Sequence, residues 1–189
     1  SPRGHDHRAA WHEMFDTSVS NAGTIESHRG FDSTQIGLAP MTDGFDPFQV
    51  SSTVAKTKGA MQFEDSLGVC RFITSTHMRW LIQLVNASTG WDLSLEEAMD
   101  VGRRAVNTLR AFNLRHGHTA ALDGLPSPRY CSVPVDGPAQ GKDIKPHWDS
   151  MLRNYYELMG WDAATGVPLP YTLRRLDLEP LVADVWPGR

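Results

Sequence analysis

The chain has 189 residues, 40% of them hydrophobic, with 18 Lys+Arg against 22 Asp+Glu and a formal net charge of −4. That predicts one globular domain with a real core and excludes disorder along most of the length. The mild acidity, with no Lys/Arg run beyond a pair, also excludes the broad positive footprint that nucleic acid needs. No apolar stretch approaches the roughly 20 residues that span a bilayer, and Ser1-Pro2-Arg3-Gly4-His5-Asp6-His7 lacks the apolar region of a signal peptide, so the expected location is the cytoplasm. The two cysteines, Cys70 and Cys131, are too few for a disulfide framework. A start on Ser1 without methionine reads as a piece of a longer polypeptide or a processed product.

In chain order, residues 1–49 have little apolar periodicity and read as a long, mostly irregular arm with a short helix around Ala9–Phe15. The helical body starts at residue 50. One helix is expected over Ser52–Phe63 and a second over Phe72–Val85, with Phe72, Ile73, Met78, Leu81, Ile82 and Val85 on its apolar face, ending at Gly90. Ser94-Leu95-Glu96-Glu97 is a capping box, from which a stripe including Met99, Gly102, Val106, Leu109 and Phe112 runs to a left-handed stop at Gly117. The Pro- and Gly-rich stretch Leu122–Asp143 must be a loop. Trp148–Leu158 is another helix, with Met151, Leu152, Tyr155 and Leu158 on one side, and shorter turns follow at Tyr171–Leu176 and Pro180–Val185. Gly90-Trp91-Asp92 and Gly160-Trp161-Asp162 read as a shared helix stop in which tryptophan folds back. With no alternating runs and hairpin turns, the fold class is all-α, an irregular multi-helical domain.

Chemistry concentrates in Glu64-Asp65-Ser66-Leu67-Gly68-Val69-Cys70-Arg71-Phe72, between two expected helices. Gly68 lets backbone approach a ligand, Asp65 can accept two N–H donors, and Cys70 beside Arg71 at a helix start is suited to be a thiolate ligand or nucleophile. The structural alternative is a buried cysteine and an N-capping aspartate in an ordinary turn. Arg103, Arg104 and Arg110 read as a solvated face.

Asp65-Ser66-Leu67-Gly68-Val69-Cys70 resembles the Asp-x-x-Gly-Leu-Cys element of the tungsten-pterin aldehyde ferredoxin oxidoreductase family. Val85 to Ser94, Arg110 to Gly117, Leu125-Pro126 with Arg129, Met151-Leu152 with Tyr155 to Leu158 and Gly160-Trp161-Asp162 resemble that family's carboxy-terminal helical domain in order, and Ser1 to His7 is similar to a stretch near its beginning. The resemblance implies oxidation of an aldehyde to a carboxylic acid by a tungsten (or molybdenum) bis-pterin and a [4Fe–4S] cluster, with ferredoxin as electron acceptor. It places pterin binding on Asp65, with Gly68 in the same turn, a cluster thiolate on Cys70, and a proton donor or acceptor on His7. It also implies upstream domains of the same polypeptide, which carry the other three cluster cysteines, so that this chain alone is expected to be inactive. A homodimer stays open.

Three other classes remain. A zinc module could use His5, His7 and His12, or His116 and His118, but neither group has a nearby cysteine. A cysteine nucleophile at Cys70 would need a histidine that nothing in the sequence selects. A non-catalytic helical scaffold or interaction domain would keep the shape without the chemistry, and metal content separates it from the enzyme reading. Asn86-Ala87-Ser88 is a chance match to a glycosylation acceptor.

Overall fold

The computed structural model describes residues 6–21 and 32–188, and the regular elements among them are helices, with one isolated antiparallel bridge between Trp161 and Pro168. They are α1 (Trp11–Ser18), α2 (Pro47–Thr57), α3 (Ala60–Ser66), α4 (Arg71–Thr74), α5 (Met78–Thr89), α6 (Leu95–Arg115), α7 (Trp148–Met159), α8 (Pro170–Arg175) and α9 (Pro180–Val185). The fold is all-α, as periodicity predicts. No described helix is long and apolar enough to cross a membrane.

α6 is the longest element, and the Ser94–Glu97 capping box starts it: the Glu97 amide donates to Ser94 Oγ at 3.2 Å and the Ser94 amide to Glu97 Oε2 at 2.8 Å. Two cores lie along it. The first gathers Trp11, Met14 and Phe15 of α1, Val50 and Val54 of α2, and the buried side of α7. Each such side chain contributes about 1.5–3 kcal/mol by leaving water. Asn154 of α7 adds a polar tie, donating to Ser51 Oγ at 2.8 Å and Ser52 Oγ at 2.9 Å of α2. The second core packs Ala60 and Phe63 of α3 and Met78 and Leu81 of α5 on Ala98 and Met99 of α6.

The helix expected over Ser52–Phe63 is two helices, because Lys58 leaves helical geometry (ψ 130°) and Gly59 takes φ +113°. Both residues are held there. The Lys58 ammonium lies 2.5 Å from Asp16 of α1 with both side chains buried, and Gly59 presses its backbone against Gly102 of α6. The helix expected over Phe72–Val85 is likewise split: α4 is a single turn, Ser75 and Thr76 take φ +49° and +50°, and α5 begins only at Met78. Phe72 and Ile73, expected inside, are 95% and 84% exposed.

Three further expectations need correction. In the second half of α6 the buried positions are Val106, as expected, with Asn107, Arg110 and Ala111, whereas Leu109 and Phe112 are exposed. On α7, Tyr156 and Met159 are buried where Leu158 was expected. Gly90 and Gly160 both end helices at positive φ, but only Trp161 folds inward, donating to Asn107 Oδ1 at 2.9 Å; Trp91 is 65% exposed.

Candidate functional site

The segment joining α3 to α5 is built around Glu64. Successive helix positions point roughly 100° apart, so Glu64 turns inward from the end of α3 while Asp65 turns out. Glu64 is fully buried, and its carboxylate accepts from Thr76 N at 3.0 Å, Thr76 Oγ1 at 2.5 Å and Thr74 Oγ1. A buried carboxylate is tolerated only with such partners, and these three close residues 65–76 into a loop while holding Ser75 and Thr76 in the left-handed region.

That loop displays the expected residues together. Asp65 is in the last turn of α3, its side chain 49% exposed; Gly68 turns the chain at φ +67° with nothing within 4 Å of its missing Cβ; Cys70 is an exposed free thiol immediately before α4. Arg71 spans the loop back to Asp65, its Nη2 donating to Oδ1 at 2.8 Å and Oδ2 at 2.7 Å. One nitrogen thus engages two of the roughly four lone-pair positions of the carboxylate and leaves the others to an incoming N–H edge. The structural alternative does not hold, because Asp65 caps no helix and Cys70 is not buried. Cys131 is the buried cysteine, its Sγ 3.4 Å from the Ser127 carbonyl oxygen.

His7 lies elsewhere, against α1 and Tyr130 at the edge of the first core. It is buried, its Nδ1 is hydrogen-bonded to the Tyr130 hydroxyl and its Nε2 lies 3.2 Å from Glu13 Oε2. Its described contacts therefore do not join it to Asp65 or Cys70. Beside it, the Arg8 side chain and backbone amide donate to Asp6, which holds that carboxyl down at about 2. His5 lies outside the described residues. His116 and His118 face different partners, the Phe112 carbonyl oxygen and Asp123, and among the described residues no group of three His, Cys, Asp or Glu could hold a metal ion.

Arg110 is not on a solvated face. It is fully buried, its Nε donates to the Gly166 carbonyl oxygen at 2.9 Å, its Nη2 to Asp123 Oδ2 at 2.7 Å, and its guanidinium lies over the Trp161 ring at 4.8 Å. It ties α6 to the 3₁₀ turn Ala120–Asp123 and to the turn at Gly166 between α7 and α8.

The fold and site define an all-α domain that offers one carboxylate and one thiol on a single braced loop. Residues 1–178 match the family described as aldehyde ferredoxin oxidoreductase, domains 2 and 3. The tungsten-containing aldehyde ferredoxin oxidoreductase of Pyrococcus furiosus is 33% identical over 134 residues, 65% of this chain and 21% of that protein. The protein of the same description from Thermococcus kodakarensis is 31% identical over 134 residues, again 65% and 21%. An aliphatic sulfonate oxidoreductase, WOR-like subunit, of Pyrococcus furiosus is 28% identical over 126 residues, 61% and 19%. The chain belongs to the aldehyde ferredoxin oxidoreductase family, and it spans about a fifth of the length of the curated relatives it matches.

Sequence reasoning passed over Glu64 and the Arg71–Asp65 pair. Glu64 follows Phe63 in a helical register whose preceding turn carries Ala60 and Met61, so an inward carboxylate could have been read there. Ser75-Thr76 supply the hydroxyls it needs.

Proposed function

We propose that this chain is the cofactor-binding, carboxy-terminal part of a tungsten (or molybdenum) pterin oxidoreductase that oxidises aldehydes to carboxylic acids. The observation that carries the reading is the pairing of an accessible Asp65 carboxylate with an exposed free Cys70 thiol on one loop of a chain belonging to this family. The residues fit the groups. Asp65 has lone pairs free for a pterin N–H edge, Gly68 leaves open space, and Cys70 can give one thiolate to a [4Fe–4S] cluster. Buried Cys131 supplies none, so the other ligands come from upstream domains of the same polypeptide. When bound, the tungsten–pterin would supply two-electron oxidation of the aldehyde carbon, and the cluster would supply electron transfer towards ferredoxin. In this reading His7 holds or releases the accompanying proton, and the chain alone is inactive. The 28% identity to the sulfonate oxidoreductase subunit makes aliphatic sulfonates the second substrate class to assay.

The test is metal analysis of the full polypeptide purified without oxygen. Asp65→Ala is expected to deplete tungsten and Cys70→Ala to deplete cluster iron, each leaving the other metal largely in place. If both variants keep tungsten and iron at the unmodified level, the site is wrongly assigned. A wild-type protein free of tungsten, molybdenum and cluster iron would favour the scaffold reading.

A further inference from the structure

We propose that Glu13 and Tyr130 are positioning residues for His7, and that His7 exchanges protons with the reaction through the Tyr130 hydroxyl rather than by direct contact. The inference rests on the proton role given to His7 above and adds its route.

His7 is only 5% exposed, with its ring set between Glu13 of α1 and Tyr130 of the long loop before α7. A carboxylate only accepts hydrogen bonds, so Glu13 at 3.2 Å from Nε2 places the ring proton there, and Nδ1 turns its lone pair to the Tyr130 O–H. The two rings meet edge-on, with centroids 5.7 Å apart and planes at 63°, which leaves the hydroxyl as the contact. Tyr130 and Glu13 are both half-buried and flank the buried ring; of the two, only the Tyr130 hydroxyl can donate one proton while accepting another.

The charge balance fixes how a proton must move. Burial first, then the nearby charges of Glu13 and Asp6, pushes the Tyr130 phenol up to about 12 against an opposing contact from Thr17, so a free tyrosinate is not populated near neutrality. Transfer is therefore concerted. The Tyr130 oxygen takes a proton from outside as its own proton passes to His7 Nδ1, and the resulting imidazolium is paired with the Glu13 carboxylate. The O–H bond of the external donor, a water or carboxylic acid, breaks as one forms on the Tyr130 oxygen, the original Tyr130 O–H bond breaks as an N–H bond forms on His7 Nδ1, and no oxidation state changes; the reverse step resets the chain. Among the described residues, the other charged groups near it stand outside the path. Asp6 is occupied by Arg8, Arg8 Nη1 donates to Ser132 Oγ at 3.1 Å, and His12 Nε2 lies 3.9 Å from Glu13 Oε1.

The experiment uses the full polypeptide with its cofactors. Tyr130→Phe keeps the ring and removes the hydroxyl. It is expected to lower kcat by about 10²-fold with KM, tungsten and iron content and Tm unchanged. Carbethoxylation of His7 by diethyl pyrocarbonate, read by peptide mass spectrometry, should become faster because the Tyr130 hydroxyl no longer engages Nδ1. Glu13→Gln removes the charge that stabilises the imidazolium, so the acid limb of the kcat–pH profile should move to lower pH; an unmoved limb would remove Glu13 from the proposal. Wild-type kcat and pH profile in Tyr130→Phe, beside inactive His7→Gln, would overturn the route and leave the role of His7 standing. Full activity in His7→Gln would overturn that role itself. A loss of tungsten or of Tm in Tyr130→Phe that accounts for the lost kcat would make the contact a structural tie and overturn the proposal.

Discussion

Gly102→Ala is expected to destabilise the chain by about 2 kcal/mol, the opposite sign to helix propensity. Alanine in a helix interior is favoured over glycine by about 1 kcal/mol, and Gly102 sits inside α6. A Cβ there, however, would stand 2.8 Å from the Gly59 Cα and closer still to the Gly59 carbonyl. The obstacle is backbone and cannot rotate aside. Gly59 is itself fixed at φ +113°, with the Met99 carbonyl oxygen 2.7 Å from where its own Cβ would be, so α3 and α6 have to part. Overpacking of this kind costs about 1–3 kcal/mol, with the upper end apt where backbone meets backbone, and the propensity gain offsets about a third. Urea unfolding followed by circular dichroism reads the difference, with Gly44→Ala, in open space, as the neutral control. Because α3 carries Glu64 and Asp65 in its last turn, the same variant should also retain less tungsten in the full polypeptide. Stability equal to or above wild type would show that the two helices can separate without cost.

What the sequence made legible follows a physical line. Elements whose signals are local were readable: the Ser94 capping box, the glycine stops at Gly90, Gly117 and Gly160, and the proline-rich loop before α7 all stand where expected. Breaks imposed from elsewhere were not. Nothing within residues 52–63 requires α2 to end at Thr57; Asp16 and Gly102, far away in sequence, do. The α4–α5 break comes from Glu64, ten and twelve residues before its partners. A single apolar stripe does not describe α6: the helix passes from one core to another, and its buried face turns roughly a quarter of the way round between the set Ala98, Met99 and Gly102 and the set Val106, Asn107, Arg110 and Ala111. That rotation exposes Leu109 and Phe112 and buries Arg110. At the site, residue types and their close spacing pointed to Asp65, Gly68 and Cys70. The partners that brace them are set by tertiary contact, and so are those that enclose His7.

Asp123→Ala is expected to cost about 4 kcal/mol, the largest single loss from a residue outside the candidate site. The carboxylate is 2% exposed and answers Arg110, His118 at 2.8 Å and the Tyr156 hydroxyl at once. Removing one member of a buried ion pair costs about 3–5 kcal/mol, chiefly because the other charge stays buried without it. Arg110 would keep the Gly166 carbonyl and the Trp161 face, neither of which neutralises a cation. Replacing the pair together, as Arg110→Met with Asp123→Leu, should therefore lose less than Asp123→Ala alone; a double variant at least as unstable as the single would show that the pair contributes more than its own desolvation. The same cluster sets an alkaline limit. Burial first, then the hydrogen bond and charge of Asp123, holds the Tyr156 phenol well above its ordinary value of 10. The stabilisation is whole below pH 10 and falls above it, as the unfolded chain ionises and the folded one does not, at about 1.4 kcal/mol per pH unit. Tyr130, pushed up to about 12, adds a second loss of the same sign over the same window. Tyr156→Phe should thus about halve the decline of unfolding free energy between pH 10 and 12, and an undiminished slope would mean that Tyr156 ionises freely in the folded chain.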